Sequence, residues 1–502
     1  MEKSPSNPNR LINYRPMFEI AIGLMLGIAV HGLMPSDGII ILGIVLIISC
    51  SALAFFKQTR PAFISGAILI GILLASINMP TQVRAGDYDI SGTVTDFCYD
   101  DGKTELTLSN ATLDGNKINK KLLLITDGEC EVSIGDRINA DAYAKNPDKV
   151  FENYNERNYY LSIGIGVKAY ADEVKVLSHN NAPIIQFLHG IRAGIVEKAN
   201  EIFGADGELM SALVVGERRE LAETRTEVYR STGTAHLLAI SGFHMGVIVA
   251  ALGTIIPKGR RKLRTIVIGL SMFFYCTISV YAPGLVRSAI MTFCMLLCSS
   301  MERRHDSLSA LALAAVLILA VNPYHLYSIG FQLSLSACFG IILLNKPILN
   351  TLKRIHMPFA PMIAVTTSAT LATMMFQMRY FGTFSTYAVL GNIIAVPAFT
   401  LILMSGVTLI SLGFVFPQAA VLLAYIPRAI LFVMERILAL LSELPLASIG
   451  FQAPSALSCV LFLLVLFAVS EYVLRPIGKR IELALIAVLL FTSSVIMSII
   501  PI

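Results

Sequence analysis

Residues 62–95 read AFISGAILIGILLASINM, then PTQVRAGD, then YDISGTVT, and the change of pattern inside them decides the fold. Residues 62–79 hold no charged side chain. At 1.5 Å per residue, a helix of that length crosses most of a hydrocarbon layer roughly 30 Å thick. Tyr88 to Thr95 instead alternate apolar and polar side chains, the period of a half-buried strand. A membrane helix gives way to a soluble β domain within a short linker.

Working outward, similar apolar blocks lie at 17–34 and 38–56. Further blocks follow at 237–257, 265–282, 285–300, 307–322, 328–345, 358–378, 386–416, 456–474 and 481–500. A block at 420–442 is interrupted by Arg428, Glu435 and Arg436, which suits an interfacial helix. Hydrophobic residues make up 55% of the chain and charged residues 15%. Soluble domains carry about 25% charged residues, so the deficit points to lipid as solvent. Arg10 and Arg15 flank the first block, but no small-residue cleavage pattern follows, which predicts a retained signal anchor.

Basic residues set the expected orientation. Lys3, Arg10, Arg15, Lys57, Arg60, the Lys258 to Arg264 cluster, Arg303–Arg304, Lys346 to Arg354 and Arg475 to Arg480 all fall on the cytoplasmic side by the positive-inside rule. The N-terminus is then cytoplasmic and residues 81–182 lie outside, while the count through 386–455 stays ambiguous.

Within 81–182, alternating runs at Tyr88 to Thr95, Thr104 to Leu108, Lys121 to Thr126, Asp136 to Ala144 and Val167 to Val176 are separated by turn clusters such as Asp114–Gly115. Five short strands predict a small, OB-like β-barrel. Such barrels often hold single-stranded nucleic acid, yet this stretch has 11 basic against 17 acidic residues, a net of −6, and the rest of the chain is +11. A domain that grips phosphates by charge is basic, so a scaffold role is the better expectation. Cys98 and Cys130 are its two cysteines. They either form a disulfide in an oxidising compartment or are free thiols on different strands. No cysteine pair has the spacing of a zinc site.

Ile184, Leu188, Ile191, Ile195 and Ile202 recur at helical spacing in an amphipathic stretch that suits a helix on the outer membrane surface. The most unusual passage follows: Ser231–Thr–Gly–Thr–Ala–His–Leu–Leu–Ala–Ile–Ser–Gly–Phe–His–Met–Gly246. Its glycines break regular helix, and freed backbone groups at membrane depth require protein or a wet cavity around them. His236 and His244 are each either structural histidines bonded to carbonyls or, with Ser241, the lining of a substrate path. Arg287, after the Tyr281–Ala–Pro–Gly turn, either snorkels to lipid phosphates or meets an anionic substrate. Gln332 and Ser334 sit near the outer end of another helix, and Gly391–Asn392 to Pro397 predicts a discontinuous one. The Gly23-xxx-Gly27 pair reads as plain helix packing.

These passages resemble the ComEC family, the inner-membrane channel of bacterial natural transformation. The resemblance rests on Gly233 to Gly246, the Tyr281 to Arg287 turn, Asn322–Pro323, Gly330 to Ser334 and Gly391–Asn392 to Pro397, in the family's order. It covers about residues 38 to 475, the OB-like domain included. It implies transport of one DNA strand across the cytoplasmic membrane, with His236, Ser241, His244 and Tyr281 along the path. Arg287 would supply charge for phosphates, and Gln332, Ser334 and Asn392 neutral hydrogen bonds. It also implies an extracytoplasmic DNA receptor and a cytoplasmic helicase-like ATPase as partners, since no Walker-type loop is present. Many members carry a C-terminal metallo-β-lactamase-like domain. Here no histidine follows His356 and the sequence stops at Ile502, so strand degradation would fall to a separate nuclease.

The expected architecture is therefore a polytopic α-helical membrane protein with an inserted OB-like extracytoplasmic domain. Three helices occupy 1–80, the barrel 81–182, amphipathic interfacial helices 183–231, the channel 232–475 and a last helix 476–502. The reading is a channel, not an enzyme. No cofactor is implied, membrane lipid surrounds it, and a homo-oligomer is an option. Two rival readings stand beside it. One is an exporter on the same scaffold, and the other is an intramembrane hydrolase with Ser241 as nucleophile and His236 or His244 as base.

Overall fold

Small residues at helical spacing set the packing of the first apolar helices. The structure is a computed structural model describing residues 15–34, 36–55, 59–100, 102–128, 130, 132–148, 150–151, 154–179, 183–216, 223–238, 240, 242–257, 259–279, 283–301, 306–470, 472, 485, 488, 491 and 492. These residues divide into two units.

One unit comprises residues 19–195 and 316–328. It holds most of α1 (Pro16–Leu33), then α2 (Ser36–Phe55) and α3 (Thr59–Ile77). A Cβ built on Gly27 would lie 2.1 Å from the Ile68 carbonyl oxygen, and one on Gly71 would lie 2.4 Å from that of Leu24. Only glycine lets these two backbones touch, so the Gly23-xxx-Gly27 pair serves packing between α1 and α3.

The barrel follows in the same unit. Its strands are β1 (Gly86–Asp100), β2 (Lys103–Leu113), β3 (Asn116–Lys117), β4 (Lys121–Asp127), β5 (Arg137–Lys145), β6 (Val150–Phe151), β7 (Tyr154–Asn155), β8 (Ile165–Ala171) and β9 (Lys175–Ser178). Five of them close a ring in the order β1–β2–β4–β8–β5 and back to β1, antiparallel except for the β4–β8 pair. Closure leaves these strands little free edge for aggregation.

Alternation drives the ring closed: Leu106 and Leu108 of β2, and Ile138, Ala140 and Ala142 of β5, all point into one buried cluster with Ile90, Leu122, Leu124 and Val167. Each large side chain so buried contributes about 2 kcal/mol. The Asp114–Gly115 turn joins β2 to β3 with positive φ at both residues, 48° and 78°, as a two-residue hairpin of this hand requires. One expectation changes. The run expected as a single strand from Val167 to Val176 splits into β8 and β9, because β5 pairs β8 along its second half and β9 along its first.

Helix α4 (Glu156–Ser162) is capped by Asn155, whose side chain accepts from the Asn158 amide at 3.1 Å. At its other end, Asn322 Nδ2 donates to the carbonyls of Leu161 and Ser162 at 2.9 and 3.1 Å. Tyr327, in the turn Pro323–Tyr327, donates to the Ile28 carbonyl at 3.2 Å. The Asn322–Pro323 signal thus belongs to a structural clasp.

The other unit comprises residues 1–18, 196–315 and 329–502. After α5 (Pro183–Phe203), its helices are α6 (Gly207–Val215), α7 (Glu223–Ser231), α8 (Gly242–Ile255), α9 (Arg261–Ile278), α10 (Pro283–Ser300), α11 (Ser307–Val321), α12 (Ile329–Arg354), α13 (Ala360–Phe381), α14 (Ala388–Gly413), α15 (Pro417–Ser442) and α16 (Ala456–Val469). A short ribbon pairs β10 (Thr383–Ser385) with β11 (Ser448–Gly450). Among the described residues, α1, the Arg60–Ile77 part of α3, α12 and α14 are long and apolar enough to cross a membrane. Gly38–Leu53, α8, Gly284–Ser300, α11 and α16 are shorter apolar helices.

Arg15 grips Asp306 through two nitrogens, at 2.9 and 3.2 Å. Partial burial opposes ionisation of Asp306, but Arg15 and the Ser309 hydroxyl and amide outweigh it and hold its carboxyl below the usual range.

One further expectation changes here. Helix α14 runs unbroken through Gly391 and Pro397. Proline removes one ladder bond, which a long helix packed on its neighbours tolerates. Helix α15 is likewise continuous through Arg428, Glu435 and Arg436. Helix α6 is buried at nearly every position. The helix expected over 476–502 lies almost wholly outside the described residues.

Candidate functional site

The chain leaves α7 through a turn built from small and hydroxylated residues. Gly233 has φ +69°, and a Cβ there would lie 2.5 Å from the Ala388 Cβ, so the turn needs glycine for conformation and for space. Thr232 and Thr234 are fully buried, with their hydroxyls 3.0 Å apart, and both bond back to α7 carbonyls. The turn rests on the first turns of α14: a Cβ on Gly391 would sit 2.6 Å from the Thr232 carbonyl oxygen. Asn392 is 3% exposed. Its Nδ2 donates to the Ala388 carbonyl at 2.7 Å and reaches that of Gly233 at 3.5 Å, while its Oδ1 has no partner among the described residues.

The chain then makes a single turn, Ala235–Leu237, and enters α8 at Gly242. The break expected from the glycine–histidine passage is present. His236, in that turn, is exposed. His244 is fully buried in the first turn of α8, its ring edge-on to Phe243 at 5.6 Å. Ser241 and Tyr281 lie outside the described residues.

Helices α8, α10 and α12 converge at the start of α10. A Cβ on Gly242 would meet Ser288 at 3.3 Å, and one on Gly284 would meet the Ser334 hydroxyl at 3.3 Å. Arg287 is 5% exposed, so it does not snorkel to a lipid surface. Its Nη1 rests against the sulfur of Cys338, Nη2 reaches the Gly284 carbonyl at 3.5 Å, and Nε has no partner among the described residues. The structure thus gathers Arg287, Ser334 and the start of α8 at one junction, and Asn392 with Gly233 at another. Gln332 is separate: its Oε1 accepts from the Tyr380 hydroxyl at 2.7 Å.

Among the described residues no carboxylate pairs with Arg287. No Asp or Glu occurs in residues 228–301 or 307–434, which include all of α8, α9, α10, α12, α13 and α14. A buried charge left unpaired costs several kcal/mol. Counting acidic residues along the sequence is the signal that marks it.

A second polar cluster escaped sequence reasoning. Glu435 of α15 accepts from Arg225 of α7 at 2.7 and 3.0 Å and from the Tyr229 hydroxyl at 2.7 Å, and Arg225 also meets Asp206 at 3.1 Å. Arg428 approaches Asp206 at 3.4 Å. Two of the charges that interrupt the 420–442 block therefore have partners on other elements, Glu435 on α7 and Arg428 at Asp206.

The barrel offers the opposite electrostatics. A concavity of about 630 Å³ on it is lined by Asp87, Asp89, Asp127, Asp141 and Asp172, with Tyr88, Tyr143, Tyr170 and Lys103. Cys98 stands on β1 and Cys130 beyond the end of β4, and the two are not bonded to each other. Burial pushes the Cys130 thiol up, against an opposing hydrogen bond with Thr126.

The competence protein family model matches residues 213–476, which contain every described site residue of the helical unit and exclude the barrel. The chain is 30% identical over 230 residues to ComE operon protein 3 of Bacillus subtilis, covering 44% of this chain and 29% of that protein. It is 24% identical over 272 residues to Recombination protein 2 of Haemophilus influenzae, covering 51% and 34%. An uncharacterized protein of Aquifex aeolicus is 31% identical over 137 residues, covering 27% and 32%. The matched stretches span about a third of the length of these relatives. No solved structure gives a significant match.

Proposed function

The chain belongs to the competence protein family, and from that premise we propose that it forms a channel for one strand of incoming DNA across the cytoplasmic membrane. The observation that carries the reading is Arg287, a buried guanidinium in helices that contain no carboxylate. A polyanion passes such a site by touching a sparse cation and neutral donors, weakly enough to be released. In this reading Arg287, Ser334, His236, His244 and Asn392 line the path, Gln332 stands apart from them, and Ser241 and Tyr281 are assigned to it from the family resemblance.

In this reading the N-terminus is cytoplasmic and residues 81–182 form an OB-like extracytoplasmic domain. The strand order β1–β2–β4–β8–β5, with its single parallel pair, supports an OB-like ring. Its net charge of −6 makes it a scaffold and not the grip on DNA. Force comes from a cytoplasmic helicase-like ATPase, and strands are delivered by an extracytoplasmic DNA receptor. The test is labelled-DNA uptake in a transformable host from which the gene is deleted. The reading expects label to stop outside the cytoplasm, and undiminished cytoplasmic label would defeat it.

A further inference from the structure

We propose that Glu435 is a positioning residue for the turn Thr232–Gly233–Thr234, acting on it through the Tyr229 hydroxyl. The proposal deepens the channel reading and rests on it in one respect, that this turn stands beside the path of the DNA strand.

Helix α7 has nine residues, fewer than the roughly 12–15 at which an isolated helix begins to hold in water. Its contacts must therefore set its direction. Arg225 and Tyr229 lie four residues apart and share one face of α7. Both converge on a single carboxylate. Glu435 Oε1 accepts from Arg225 Nε and from the Tyr229 hydroxyl, each at 2.7 Å, and Oε2 accepts from Arg225 Nη2 at 3.0 Å. Tyr229 is fully buried, with its ring edge-on to Phe399 of α14 at 5.8 Å. A tyrosine so placed needs a partner for its hydroxyl, and a carboxylate is a strong one.

The backbone of the same residue meets the turn. The last carbonyls of a helix have no intrahelical donor. Here the Tyr229 carbonyl accepts from the Thr234 amide at 2.8 Å and from the Thr234 hydroxyl at 3.3 Å. The Thr232 hydroxyl donates to the adjacent Val228 carbonyl at 2.7 Å. Tyr229 thus carries a continuous link from α15 to the turn. The link passes on to α14, where Gly391 leaves room for the Thr232 carbonyl and Asn392 Nδ2 reaches that of Gly233. Apolar packing is non-directional, whereas each of these bonds holds only in a narrow range of geometry. A division of labour follows. The Glu435 charge facing Arg225 supplies stability, and the bond to Tyr229 supplies position.

The test compares three variants of the full chain by melting and amide hydrogen exchange in nanodiscs, and by DNA uptake at equal membrane levels in the complemented deletion strain. Tyr229→Phe removes one hydroxyl and keeps the ring and the Arg225–Glu435 pair. It should speed exchange of the Thr232–Thr234 amides by on the order of tenfold and lower uptake several-fold, with little change in melting temperature. Glu435→Leu removes acceptor and charge together, so it should loosen the turn as much and also melt lower. Glu435→Gln keeps an acceptor: it should melt lower than wild type yet restore slow exchange and most of the uptake that the leucine variant loses. A merely structural role would make exchange and uptake follow melting temperature across all three. If one of the first two variants fails to reach the membrane, the other carries the comparison with Glu435→Gln. The proposal is overturned if the folded Tyr229→Phe chain exchanges these amides at the wild-type rate, or if the glutamine variant loosens the turn as much as the leucine variant does. A loosened turn with undiminished uptake upholds the positioning role and removes the turn from the strand's path.

Discussion

Residues 81–182 wrap 17 acidic and 11 basic side chains around an apolar barrel interior, whereas residues 228–301 and 307–434 contain no acidic side chain and bury a guanidinium. In the barrel, Asp136 is the one carboxylate buried among the described residues, and the interior of Leu106, Leu122, Leu124 and Ile138 supplies stability. In the helical unit, polar groups sit inside: Thr232, Thr234, Asn392, Ser288 and Arg287 are all buried. Burying them costs stability unless a partner arrives. Under the proposed channel reading, the acidic concavity of the barrel would repel phosphates and the acid-free helices would attract them.

The comparison breaks most severely at the turn that shapes the helical site. Gly391→Val would drive a branched side chain into the Thr232 carbonyl, 2.6 Å from the Cβ position. Overpacking of this kind costs about 1–3 kcal/mol, and more where the neighbour is backbone that has no room to move. We expect a large loss of folded chain from the membrane fraction, and normal levels would mean that α14 has slack at Thr232. Glu435→Gln is the next largest. It keeps an acceptor for Tyr229 but removes the charge facing Arg225, for a loss of about 2 kcal/mol in thermal unfolding of the solubilised protein. An unchanged melting temperature would show that Asp206 alone satisfies Arg225. The smallest effect belongs to the barrel: Asp87→Asn, Asp89→Asn and Asp141→Asn together should alter DNA uptake by less than about twofold, since those carboxylates face a region that does not hold the strand. A large fall in uptake would return the barrel to the substrate path.

Much of the barrel is legible in the sequence because its determinants are local. Alternation over Thr104 to Leu108 and Asp136 to Ala144, and the Asp114–Gly115 turn, each act within a few residues. The break between α7 and α8 is legible for the same reason, through Gly233 and Gly242. Legibility fails where tertiary contacts decide. Pro397 and Gly391 suggest a break in α14, yet packing on the Thr232 turn carries the helix through. Arg428 and Glu435 look like an interruption because their partners, Asp206 and Arg225, stand more than 200 residues earlier. Arg287 was visible as a lone cation, but only its burial separates a path residue from one that snorkels to lipid.

The central claim is that the acid-free helices carry the strand past Arg287, and charge reversal there tests it most directly. In a transformable host, the deletion strain is complemented with wild type, Arg287→Lys or Arg287→Glu, and labelled DNA reaching the cytoplasm is measured alongside the amount of chain in the membrane. At equal membrane levels, the account predicts that Arg287→Lys retains most uptake and that Arg287→Glu lowers it by on the order of a hundredfold, as expected when a buried partner of phosphate turns into a like charge. Equal uptake by the lysine and glutamate variants would contradict it.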